Sequence, residues 1–346
     1  MTPRSAVRPA LRPLRRSLAT LVLAVTALTA AACGGDGDDA QSAAVGPDGK
    51  VDLSKVTLRI GDQKGGQQAL LGAAGVLTGA PYKIEWKQFT SGPPLLEAVN
   101  AGALDFGAVG NTPPVFAAAA GSKIKMVAAA DIGLTGQAVL VPKNSPIRTP
   151  AELKGRRIAV AKGSSAHYHL LTVLRKAGLT FKDVQPQYLA PPDALAAFST
   201  GKVDAWAIWD PYTAQGEAQA GGRVLVDGTG YTTGYNIIVA SSKALKDKAR
   251  EAALRDYLTR QRRALVWANT HVKEWAAVWA KDTGLPVAVA EVAGRRRAAR
   301  LIKLDGTFVA NEQQVADAFR DQGLVPAKVK IADFVDTRFN DLKDPS

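Results

Sequence analysis

RRIAVAKGSSAHYHLL (156–171) contains a strand, a turn and the start of a helix in one short run. The apolar strand ends at Ala161, Gly163 permits a tight turn, and Ser164 or Ser165 is placed to cap a helix running through Ala177. The same unit repeats on both sides. Strands are expected at 56–60, 83–87, 104–109, 124–129, 137–141, 157–161, 185–189, 203–208, 223–226 and 235–240. Helices are expected between them at 66–77, 92–101, 113–120, 165–177, 192–200 and 211–220. This alternation predicts an α/β fold with parallel sheets covered by helices on both faces. From Ser242 onward no strand is expected. Helices at 247–270, 271–283, 286–303 and 311–322 follow, with Gly284, Gly306 and Gly323 as stops.

Two segments interrupt the rhythm, VPKNSPI (141–147) and the Gly/Thr-rich VDGTGYTTGY (226–235). Taken as crossovers, they make 148–228 a second lobe inserted into a first lobe of 51–141 and 236–346. Two crossovers make a hinge, and the cleft between the lobes is where a ligand would lie.

The chain has 346 residues, 47% apolar and 22% charged, enough for large cores and too balanced for disorder. One Cys and three His exclude a disulfide framework and argue against a thiolate zinc cluster. The net charge is +13, of which residues 51–346 carry +11, a balance that favours anionic partners. Residues 1–32 hold five Arg and no acid, then a 15-residue apolar run from Leu18 to Ala32. A spanning helix needs ~20 such residues, so 1–32 reads as a secretory signal. Ala30, Ala31 and Ala32 lead into Cys33, which resembles a bacterial lipobox with Ala30 where Leu is common. On that reading Cys33 is diacylated and anchors the protein to the membrane, and 33–50 is a flexible linker. Export argues against a nucleic-acid partner.

Several segments resemble the aliphatic-sulfonate-binding proteins of ABC importers, a branch of the nitrate, sulfonate and taurine solute-binding group. They are RIGDQKGG (59–66), FTSGPPLLEAVNAGALDFGAVGNTPPVFAAAAG (89–121), AVLVPKNSPIRTPAELKGRRIAVAKGSSAHYHLL (138–171), DVQPQYLAPPDALAAFSTGKVDAWAIWDPY (183–212) and QQVADAFRDQGLVP (313–326). The resemblance implies a two-lobed periplasmic-binding-protein fold of type 2. It also implies a monomer at the outer face of the cytoplasmic membrane or in the periplasm, delivering a sulfonate to ABC permease subunits. Neither enzymatic activity nor a cofactor is expected. One departure is Asp62, where the family usually has Tyr. Either Asp62 points away from the cleft or the ligand is not a simple alkanesulfonate. Alternatives are the same importer role for nitrate, taurine or a cofactor precursor, and a secreted enzyme on this scaffold. The last lacks a nucleophile–base or metal constellation.

A sulfonate stays ionised and needs hydrogen-bond donors. The turn at Gly163, Ser164 and Ser165 offers them, because the first-turn amides of a helix are unpaired and its N-terminus carries about +0.5 charge. Gln63 follows the first strand and its amide can donate. Ser91 with Gly92, and Asn111 with Thr112, stand at helix starts, where Ser91 and Thr112 are expected to cap. Of Trp206 and Trp209, one is expected in the core and the other walling the organic part of the ligand. Asp210 is expected to cap the next helix or bond across the hinge, and His167 is a candidate lining residue. GRRRAAR (294–300) reads as a solvated basic face. His167 and His169 point apart on a helix and hold no metal between them.

Overall fold

A computed structural model describes residues 44–326, 328–343 and 345. The expected signal 1–32, the lipobox Cys33 and the linker as far as 43 lie outside the described residues. The rest of that linker is not free chain. Ala44 is fully buried, Val45 bridges to Val51, and the Gly46 amide donates to the Lys50 carbonyl at 2.8 Å. Ala44 and Val45 supply apolar surface that the core accepts, so the ordered body begins before 51.

Among the described residues, eleven strands form two sheets. The strands are β1 (Thr57–Gln63), β2 (Lys83–Phe89), β3 (Phe106–Gly110), β4 (Ile124–Asp131), β5 (Gln137–Pro142) and β6 (Arg157–Val160). Then come β7 (Gln185–Tyr188), β8 (Ala205–Trp209), β9 (Gly222–Asp227), β10 (Tyr235–Ser241) and β11 (Arg300–Ile302). The first sheet runs β11-β4-β10-β3-β1-β2 and the second β7-β6-β8-β5-β9. The helices are α1 (Gln67–Ala73), α2 (Gly92–Asn100), α3 (Pro113–Ala119), α4 (Ser165–Lys176), α5 (Pro191–Ser199) and α6 (Tyr212–Gln219). They continue with α7 (Ser242–Lys246), α8 (Lys248–Ala268), α9 (Val272–Thr283), α10 (Val287–Arg295) and α11 (Gly306–Asp321).

Three expectations are corrected. The sheets are mixed, not parallel: β10 runs antiparallel to β3 and β4, and β5 antiparallel to β8 and β9. Each reversed strand follows a crossover that contains no helix, at 132–136 and 228–234, and nothing there turns the chain back into a parallel course. β5 belongs to the second sheet, so the first crossover precedes the strand expected to close the first lobe. A strand does occur after Ser242: the segment read as one helix at 286–303 breaks after Arg295, and β11 then pairs with β4.

The alternation of side chains fills the layers. On β10, Ile237 and Val239 face α2, α3 and α11, while Ile238 and Ala240 face α1, α8 and α9. In the second sheet α4 covers one face and α5 and α6 the other. Each fully buried Leu, Ile or Phe here contributes roughly 1.5–3 kcal/mol of burial free energy. The layers of the two sheets also meet: Tyr168 and Leu171 of α4 pack with Phe308 and Phe319 of α11. The crossovers are tied side by side, Ile132 donating to the Gly234 carbonyl at 3.1 Å and Gly228 to the Leu134 carbonyl at 3.2 Å.

Candidate binding site

The C-terminal ends of β1, β3 and β8 point into one cavity between the sheets, where ligands bind in open α/β sheets. It holds about 1250 Å³ of empty space measured out to its mouth. Of the expected site residues, Gln63, Gly92, Asn111, Ser164, Ser165, Trp209 and Asp210 line it.

Ser164 caps α4 by accepting from the His167 amide at 3.3 Å, leaving Ser165 as the first helical residue. Its amide belongs to the set with no carbonyl acceptor inside the helix. Gln137 on β5 donates to the Ser165 carbonyl at 3.2 Å and so ties the helix start to the sheet. The end of β3 comes close to this turn. A Cβ on Gly110 would stand 2.8 Å from the Ser165 Cβ, so only glycine lets the two strands of backbone meet. Gly163, at φ +73°, makes the turn itself.

Other side chains are committed within the protein. Gln63 spends one amide hydrogen on the Ala108 carbonyl at 3.0 Å. Asn111 donates to the hydroxyls of Thr232 and Thr233, both at 3.3 Å, and accepts from Thr112 at 3.0 Å. The expected caps at Ser91 and Thr112 do not form. Pro93 and Pro94 remove the amides that Ser91 would cap, and Thr112 has helical dihedrals that aim its hydroxyl at Asn111.

Ser91, Thr112, Gly163, His167 and Trp206 lie behind the lining, not on it. Trp206 is the core tryptophan, fully buried with Phe198 and Tyr212, and Trp209 reaches the cavity. His167 is fully buried among Phe116, Phe181, Tyr188 and Phe319, where its Nδ1 accepts from the Gly163 amide at 3.2 Å. Burial, reinforced by Lys162, pushes its pKa down to about 3. It is a neutral prop for the turn. His169 is also buried and bonds the Asp227 carbonyl at 2.9 Å. Among the described residues, no three His, Cys, Asp or Glu side chains cluster as metal ligands.

The two carboxylates differ. Asp62 does not point away from the cavity, yet it is 2% exposed and both oxygens are used. Oδ1 accepts from the Gln67 amide and Oδ2 from the Gln68 amide, each at 2.8 Å. It therefore seals the N-terminus of α1, and those amides offset part of the burial that raises its pKa. Asp210 is not the N-cap of α6, which is Pro211, but it bonds to that helix's first turn and forms an ion pair across the halves. Its Oδ1 accepts from the Ala214 amide at 3.0 Å in α6 and lies 3.5 Å from Arg296. Burial raises its pKa to about 6 against the pull of Arg296.

The basic run 294–300 is a solvated face only in part: Arg295 and Arg300 are exposed, while Arg296 and Arg297 turn inward. Arg297 lines the cavity, its guanidinium 5.3 Å from the Trp279 ring and 5.7 Å from Trp275. Those rings stack 4.8 Å apart. Burial lowers the Arg297 pKa while Asp210 and Asp62 oppose that shift. Lys64 is a second cation on the rim, lowered by burial and supported by Asp282. Leu70, Leu265, Ala268 and Trp275 supply an apolar wall to the same cavity. Neither Arg297 nor this wall carries a motif, because α1, α8 and α9 reach the cavity only through packing. The arrangement can hold a molecule with one anionic end and one apolar end.

These features define a two-lobed solute-binding protein. Comparison with known proteins agrees: the family described as NMT1/THI5 like matches residues 84–274. A protein of Escherichia coli K12 assigned as aliphatic sulfonates-binding is 42% identical over 286 residues, 81% of this chain and 89% of that one. The alkanesulfonate-binding protein SsuA of Xanthomonas axonopodis pv. citri, solved bound to MOPS, has a TM-score of 0.75 at 36% identity. That match covers 81% of this chain and 97% of that chain. The periplasmic SsuA of Escherichia coli has a TM-score of 0.71 at 39% identity, covering 80% and 91%. The chain belongs to the NMT1/THI5-like family, in its aliphatic-sulfonate-binding branch.

Proposed function

We propose that the protein is the substrate-binding component of an ABC importer and captures an aliphatic sulfonate outside the cytoplasmic membrane. The observation that carries the reading is the pairing of the uncharged Ser165 amide and hydroxyl with the Arg297 guanidinium around one cavity that also has an apolar wall, while Ser164 gives its own amide and hydroxyl hydrogens to the Ala161 carbonyl. A sulfonate takes backbone and hydroxyl hydrogens at its oxygens, and no proton moves. Arg297 offsets the repulsion from Asp62 and Asp210, and Leu70, Leu265, Ala268 and Trp275 receive the organic group. Gln63, Gly92, Asn111 and Trp209 complete the lining. Closure of the two lobes about the crossovers 132–136 and 228–234 traps the ligand, and the permease reads the closed form. The protein acts as a monomer, released from its signal before Cys33 and held at the membrane by acyl groups on that residue.

Thermal melting with ethanesulfonate, MOPS, taurine, sulfate and nitrate tests the ligand. A sulfonate at a hundred times its Kd is expected to stabilise the protein by about 2.7 kcal/mol. Stabilisation by nitrate alone would overturn the sulfonate assignment and leave the importer role. Turnover of ethanesulfonate by the isolated protein would replace the binding role with an enzymatic one. Mass spectrometry of protein from membranes tests the lipid, and light scattering the monomer.

A further inference from the structure

Arg296 and Arg297 are adjacent but serve opposite sides of the cleft wall. Arg297 lies over Trp275 and Trp279 in the cavity. Arg296, at the end of α10, reaches across to the second-sheet half. Its Nη2 is 2.6 Å from Glu217 Oε2 on α6, and its Nη1 is 3.5 Å from Asp210 Oδ1 after β8. The first crossover is threaded between these groups. A Cβ on Gly133 would come within 2.6 Å of the Arg296 carbonyl oxygen, and a Cβ on Gly136 within 2.8 Å of Asp210 Oδ2. Arg296 Nη1 and Asp210 Oδ2 are buried with no hydrogen-bond partner. A small further approach of the halves would convert that loose contact into a hydrogen bond.

We propose that Arg296 is a positioning residue, an interlobe strut to Glu217 and Asp210 that fixes the crossover beside it and holds Arg297 over the cavity. Its effect on affinity rests on the ligand-capture reading above; its effect on the crossovers does not. Arg296 and Glu217 stand outside the lining, with only Asp210 on it, so their loss acts on how long a ligand stays more than on what the ligand touches. Losing one member of a part-buried charge pair acts mainly on the dissociation rate.

The test is a double-mutant cycle of Arg296→Ala and Glu217→Ala, with Arg296→Lys as the conservative variant. Ethanesulfonate release is followed by stopped-flow tryptophan fluorescence, and hydrogen exchange at 131–137 and 227–235 is measured on the ligand-free protein. Each alanine variant is expected to speed release about tenfold. The double variant should do no worse than either, and Arg296→Lys should retain most of the wild-type lifetime. Exchange at both crossovers should rise in the alanine variants with no ligand present. Unchanged release, or effects that multiply in the double variant, would overturn the proposal. If an alanine variant does not fold, Arg296→Lys and Glu217→Gln take the same cycle. If the wild-type protein binds no ethanesulfonate, the ligand reading fails and the exchange measurement alone decides, with unchanged exchange counting against the strut.

Discussion

Replacing Arg297 with Met removes a cation from the cavity while keeping an apolar side chain over Trp275 and Trp279. A hydrogen bond to a charged group is worth about 1.5–3 kcal/mol, and every 1.4 kcal/mol is tenfold in Kd. The expected loss is therefore about 10–150-fold for ethanesulfonate. The upper end is favoured, because Asp62 and Asp210 then lose the one cavity cation that offsets both of them. The lost cation–π contact costs about 0.5–2 kcal/mol of stability, which the methionine partly restores. Calorimetry at neutral pH and again below pH 6 measures both parts. Asp210 is charged above its pKa of about 6 and neutral below it. Anion binding should therefore tighten as pH falls through 6, and the tightening should be larger in Arg297→Met, where Arg296 alone is left to offset that charge. A folded Arg297→Met protein whose Kd stays within about threefold of wild type would refute the role given to the guanidinium.

Three further outcomes are expected. Ser165→Pro, tolerated at the first position of α4, removes one donor amide and a hydroxyl and should weaken ethanesulfonate binding by about five- to tenfold in calorimetry. His271→Ala, stacked on Trp267 away from the cavity, should leave binding unchanged, and equal losses would count against the Ser165 turn. Gly65→Ala should destabilise by about 3–5 kcal/mol in denaturant melts, since a Cβ at φ +66° would lie 1.4 Å from Trp279 Nε1. Glu312 is fully buried with neither oxygen bonded, and burial raises its pKa well above the usual carboxylate value. The folded state then holds a proton that the unfolded state releases, so its contribution falls as pH rises. Glu312→Met should raise stability by about 1–3 kcal/mol at pH 8 and much less at pH 4, and a pH-independent difference would argue against this account.

The alternation from 56 to 240 carried the two-sheet α/β class and most element positions, because a strand of period two and a helix of period 3.6 leave different apolar patterns. The second crossover was read at 226–235, but the first was expected at 141–147 and lies at 132–136, because β5 joins the second sheet by pairing with β8 and β9. The Ser164 cap and the open Ser165 amide follow from the local chain, since a cap is made by residues three apart. The failed cap at Ser91 was legible too, in Pro93 and Pro94, whereas that at Thr112 was not, because its hydroxyl turns to Asn111. What local pattern does not carry is the meeting of distant segments. Asp62 looks like a repulsive charge until its oxygens are found on the α1 amides, and GRRRAAR looks like a solvent face until α10 ends and turns two arginines inward. The Asp62 bonds lie five and six residues along the chain, but Arg296 meets Glu217 79 positions away, so only the folded chain assigns Arg297 to the cavity and Arg296 to the second-sheet half.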